Sequence, residues 1–89
     1  MSMDTQYTEM KQFYIALATF NNHLNNSMRD LAKIHEDVSP LWQDEMRHMY
    51  DHHWAPLDHT IQRYLQKQGP EYLGFLQRKL RSMERYLYG

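Results

Sequence analysis

From Met10 to Val38 the apolar residues return every three or four positions, at Met10, Phe13/Tyr14, Leu17, Phe20, Leu24, Met28, Leu31, Ile34 and Val38. That alternation is one face of a helix, sustained for about four heptads. No proline or glycine occurs before Pro40, so the pattern predicts a single helix over about residues 9–38, after a polar start through Thr8 that is expected to fray. Asn21, Asn22, Asn25 and Asn26 weaken its intrinsic propensity, each by a few tenths of a kcal/mol. Packing must therefore hold the middle of this helix. Asn21 lies where the seam passes, and it reads either as a solvated flank or as a buried polar residue that fixes register with a partner helix.

Pro40 ends the first pattern, because the residue before a proline is pushed out of the helical region and the ring cannot continue an established helix. Ser39 suits the N-cap of the second helix, with Asp44 and Glu45 near the positive end of the helix dipole. The second stripe, Trp42, Met46, Met49/Tyr50, Trp54, Leu57, Ile61 and Tyr64/Leu65, predicts a helix over about 41–68. Its phase survives Pro56, which predicts a kink near residue 56 in a continuous helix. Gly69 then reads as the residue past a helix C-terminus and Pro70 as the first turn of a final helix over about 70–87, with Leu73, Leu76, Leu80, Met83 and Leu87 on one stripe. The expected fold is all-α: one domain over 1–89, an antiparallel helical hairpin with a kinked second arm and a short third helix.

A chain of 89 residues has room for one domain, and its 42% hydrophobic and 24% charged content places it among globular proteins. A formal net charge of −1 with scattered charges lacks the basic footprint of a nucleic-acid binder. Arg78, Lys79, Arg81 and Arg85 then read as a solvated helix face. Zero cysteines exclude disulfides, cysteine-ligated metals and thiol catalysis. No signal-peptide core opens the sequence, and no run approaches the ~18 apolar residues of a membrane span. The expected location is the cytoplasm, or outside the cell by a route without a cleavable signal peptide.

Histidines raise the one metal-binding possibility. His48 and His52 have the i, i+4 spacing that lets two imidazoles share an ion, and His59 lies on the same stripe with Glu45. In a simple bundle that stripe faces water and lacks a supporting shell. A small metal- or ligand-binding bundle is the alternative reading it leaves. His53 sits near the edge of the core face, while His23 and His35 read as flanking structural residues. Protonating all six histidines would add six charges to −1 and carry the chain to +5. No phosphate-binding loop, nucleophile elbow or zinc-protease motif is present. The expectation is a non-enzymatic protein without a cofactor. Seven tyrosines, seven methionines and two tryptophans exceed what a small core hides, which points to an adaptable interface in a homodimer or in a hetero-oligomer with another helical protein.

Trp42, Asp44, Met46, Tyr50 and Trp54 fall between two long amphipathic helices at offsets of two, four, eight and twelve. In this the chain resembles the WXG-motif superfamily, the small bacterial helical hairpins similar to early secreted antigens. The resemblance covers about residues 10–68. Asp44 stands where the motif has glycine and Met46 where it has a small residue. The family's C-terminal Tyr-x-x-x-Asp/Glu signal has no counterpart after Tyr72 or Tyr86. The resemblance implies a non-enzymatic, dimer-forming module, exported by a specialised secretion system or serving as an adaptor, with Trp42 packed at the turn against a partner. Trp42, Asp44, Tyr50, Trp54 and Leu57 are the candidate turn and interface residues.

Overall fold

The computed structural model describes residues 2–89, which are all-α with no strand among them. Helix α1 spans Met3–Val38, α2 Asp44–Arg63 and α3 Gly69–Tyr88. The first helix thus starts at Met3 and not near Glu9. The Ser2 hydroxyl accepts the Thr5 N–H at 3.2 Å, and Asp4 meets the positive end of the dipole. Tertiary contact also holds this end. The Tyr7 hydroxyl donates to Glu84 Oε1 at 2.6 Å and the Tyr7 ring meets Tyr88 edge-on at 6.0 Å. Donating to a carboxylate, with its negative charge nearby, raises the Tyr7 pKa above the ordinary phenol range.

At the other end a 3-10 turn, Ser39–Leu41, carries Pro40. Trp42 and Gln43 are extended, and α2 begins only at Asp44. Asp44 and Glu45 occupy its first turn as the dipole favours. Pro56 lies inside α2, which continues on both sides of it. Across the molecule Tyr7 meets Glu84, Phe13 meets Tyr72, Asn21 meets Tyr64 and His35 meets Trp54. Numbers rising on one side fall on the other, so α1 runs antiparallel to α2 and α3. The arrangement is consistent with a helical hairpin.

The expected break at Gly69 and Pro70 is absent. A π-helical turn, Tyr64–Gln68, leads α2 straight into α3, and Gly69 keeps a helical backbone (φ −60°, ψ −53°). The stripe explains why. Partly buried residues before the turn include Trp54, Asp58 and Ile61, whereas after it Leu76 and Leu80 are buried and Leu73 and Met83 partly buried. Steps of seven from Trp54 and Asp58 reach Phe75 and Tyr72, which are exposed, while the next residues along, Leu76 and Leu73, face α1. One extra residue brings both stripes onto α1, and a π turn supplies it. The Gly69 N–H reaches back five residues to the Tyr64 carbonyl, and Pro70, which has no N–H, follows at once.

Gly69 is needed for proximity. A Cβ there would lie 3.1 Å from the Tyr64 carbonyl oxygen and 3.2 Å from Asn21 Nδ2. Beside it the Tyr64 hydroxyl donates to Asn21 Oδ1 at 2.6 Å. The seam asparagine is therefore satisfied within its own chain and fixes the register of α1 against the π turn.

The result is a rod of 63 × 20 × 16 Å with a radius of gyration of 19.4 Å, against about 12 Å for a compact domain of this length. Its accessible surface is 7149 Å², where a compact monomer of this mass exposes about 5,600 Å². Among the described residues Met28, Leu76 and Leu80 are the buried apolar side chains. Among the described residues no helix is long and apolar enough to cross a membrane.

Candidate interaction surface

Every seventh residue of α1 from Tyr7, namely Tyr14, Asn21, Met28 and His35, faces the opposing helices and is buried or partly buried. The row beside it, again in steps of seven, holds Phe13, Phe20 and Ile34, exposed by 50%, 55% and 55%. Gln6 and Ser27 complete that row, so it carries no charge. Phe13 meets Tyr72 edge-on at 6.2 Å, and Tyr72 lies 6.4 Å from Phe75. The apolar rows of α1 and α3 thus share one side of the rod. The spacing brings Met46, Leu57 and Tyr86 to the same side of α2 and α3, and all three are exposed. The opposite side is mixed: Asn22, Asn25, Arg29, Gln62 and Gln66 line one groove there with Leu65 and Leu73, and Lys11, Arg81 and Glu84 line another with the exposed Ile15.

Several residues expected in the seam are therefore not buried: Phe13, Phe20, Leu31 and Ile34 on α1, and Met46, Met49 and Leu57 on α2. The reason is geometric. Two helices in contact bury a narrow strip of each, and these chains carry apolar stripes wide enough for a bundle.

The turn end holds an aromatic cluster. Trp42 packs edge-on against Tyr50 at 4.2 Å, and Tyr50 and Trp54 lie parallel at 6.4 Å. His35 of α1 stacks on both, 5.0 Å from Tyr50 and 4.7 Å from Trp54. Three of the five candidate turn residues therefore come together, all partly buried, while Asp44 and Leu57 are exposed. His35 does more than flank. Its place in the every-seventh row of Tyr7, Tyr14, Asn21 and Met28 is the signal that finds it. Its Nε2 lies 3.9 Å from Asp51 Oδ1, Asp51 Oδ2 lies 3.9 Å from Arg47 Nε, and its Nδ1 is buried without a hydrogen-bond partner.

That unpartnered nitrogen gives a direct test of what His35 contributes. His35→Phe keeps a flat ring on Tyr50 and Trp54 and removes the orphan polar atom, so thermal unfolding should show it at least as stable as the parent. His35→Ala removes the ring and should lower stability by about 1–2 kcal/mol, part of the loss for an aromatic in a full core. A loss in His35→Phe as large as in His35→Ala would mean that the imidazole's polarity, and not its stacking, joins the helices.

His48, His52 and His59 are all exposed on α2. Among the described residues no three His, Asp or Glu side chains come together in a group able to hold a metal ion. His53, expected at the core edge, is exposed too, with its ring 5.8 Å from that of His52. On α3, Arg78, Lys79, Arg81 and Arg85 are exposed, and the Lys79 ammonium lies 5.6 Å from the centre of the Phe75 ring. Comparison with family models, with curated proteins and with solved structures finds no match to the chain.

Proposed function

We propose that this chain is a non-enzymatic helical protein–protein interaction module of the WXG-like type, an exported or adaptor protein of a specialised bacterial secretion system. The observation that supports it is the uncovered apolar side of the rod, where Phe13, Phe20, Ile34, Leu57 and Phe75 are each at least 44% exposed while Met28, Leu76 and Leu80 are buried. Exposed patches of this extent on small proteins mark binding surfaces. The partner is helical, either a copy of this chain or another hairpin, and the product is a helical bundle with the Trp42, Tyr50 and Trp54 cluster bracing the turn.

Size-exclusion chromatography with light scattering over a range of concentrations, together with binding of an apolar-surface dye, tests this reading. The expected result is assembly beyond the 10.9 kDa chain, or a single chain that binds the dye strongly. Phe20→Glu and Phe75→Glu should abolish whichever is seen while leaving the helical circular dichroism intact. A single chain without dye binding, indistinguishable from both variants, overturns it.

A further inference from the structure

We infer that the occupant of the apolar side is a second copy of this chain, laid against the first with its ends reversed, α1 on α1 and the long α2–α3 rod on its counterpart. The inference rests on the interaction-module reading and names its partner. Size comes first. The rod measures 63 by 20 Å across the larger pair of its dimensions, a face whose projected area of about 1,300 Å² exceeds the roughly 800 Å² per partner of a standard stable interface. The excess surface over a compact monomer is of the same order.

Charge comes second. An isologous contact sets each residue against the same surface of its copy, so a strongly charged face would repel itself. The α1 row of Gln6, Phe13, Phe20, Ser27 and Ile34 is uncharged. On the other rod Lys67 and Lys79 are the nearby cations, both exposed, and long lysine stems let the ammonium swing out of such a contact.

Shape sets the orientation. The bulky rings, Phe13, Phe20, Tyr72, Phe75 and Tyr86, lie toward the end where the Tyr7–Glu84 bond joins the rods. Toward the turn the same side carries slimmer side chains, Ile34, Met46 and Leu57. Helices pack at a nearly constant separation, so wide side chains are best met by narrow ones. Reversal achieves this with a single pivot. On the long rod Tyr86 and Met46 are centred on residue 66, and so are Phe75 and Leu57. On α1, Phe13 and Ile34 are centred between residues 23 and 24, and the contacts of Asn21 with Tyr64 and of Tyr7 with Glu84 put the residue opposite that point between about 61 and 68, a span that includes 66. A two-fold axis at the level of residue 66 therefore sets Phe75 on Leu57 and Tyr86 on Met46, and brings Phe13 within about one helical turn of Ile34. Thioether against aromatic is a favourable contact in its own right.

The natural absence of cysteine makes the test clean. Single-cysteine chains are mixed in pairs and treated with a short bismaleimide, with light scattering on the same samples. The expected result is a mass twice 10.9 kDa, with Met46→Cys joining efficiently to Tyr86→Cys and at least tenfold less Leu57→Cys joining to Ile34→Cys. The four positions are exposed, and circular dichroism of each chain confirms that its helices survive. The converse cross-linking pattern in a dimer overturns the reversed orientation while the interaction-module reading stands. A single-chain mass with strong dye binding overturns the second copy as occupant and leaves a different helical chain as the partner. A single chain without dye binding removes both.

Discussion

Leu76→Ala should cost about 3 kcal/mol, the middle of the range for deleting a buried leucine side chain, and should leave a dilute sample largely unfolded. Leu76 is 4% exposed and is buried together with Met28 and Leu80. A helical pair of this size holds only about 3–5 kcal/mol from its core, so one truncation removes most of it. The neighbouring residue gives the contrast. Phe75 is 44% exposed on the open side, and Phe75→Ala should change the stability of a single chain by less than about 1 kcal/mol, as substitutions away from the core do. It should instead weaken assembly. Urea unfolding followed by circular dichroism at low and high protein concentration separates the two. The Leu76→Ala loss persists at both concentrations, whereas the Phe75→Ala loss appears only where the parent chain assembles. Equal stability of Leu76→Ala and the parent would place the core elsewhere.

This pair of neighbours also shows how far the sequence can be read. Spacing alone identifies the helical stripes, and the long first helix, the interruption around Pro40 and the all-α class follow from it. Spacing does not say how wide a strip is buried. Phe13 and Tyr14 fit the first stripe equally well, yet Tyr14 faces the other rod and Phe13 faces outward, because one neighbour covers only part of each apolar face. The start of α1 is hidden for a different reason. Ser2 caps it and Tyr7 ties it to Glu84, and the second of these is a contact across 77 positions that no local pattern contains. His35 shows the reverse case, since its place on the every-seventh row is legible and only its residue type argues for a flank. The turn cluster is partly legible: Trp42, Tyr50 and Trp54 share a spacing, while the ring they gather around comes from α1.

Gly69→Val should destabilise the chain by about 3 kcal/mol, and the reason separates tertiary packing from local propensity. Gly69 has ordinary helical dihedrals (φ −60°, ψ −53°). By propensity alone any Cβ would help, and alanine in a helix is worth about 0.5–1 kcal/mol over glycine. Space decides otherwise. The first added carbon lies 3.1 Å from the Tyr64 carbonyl oxygen, which belongs to backbone held in the π turn, and 3.2 Å from Asn21 Nδ2. Alanine needs both groups to give a few tenths of an ångström, so its propensity gain and its crowding should nearly cancel. Valine adds two further carbons, and overpacking of that kind costs about 1–3 kcal/mol. It also pushes Asn21 away from the Tyr64 hydroxyl, breaking a 2.6 Å bond whose net worth is about 0.5–1.5 kcal/mol. Two outcomes then distinguish the accounts. If crowding against Asn21 is the cause, Asn21→Ala in the Gly69→Val background should recover part of the loss, so that the double variant is more stable than the two single losses predict. If Gly69→Ala instead stabilises by the full propensity difference and Gly69→Val is tolerated, α1 and the π turn do not approach closely, and the register of the rods must be set by the aromatic cluster at the turn and by Tyr7 at the open end.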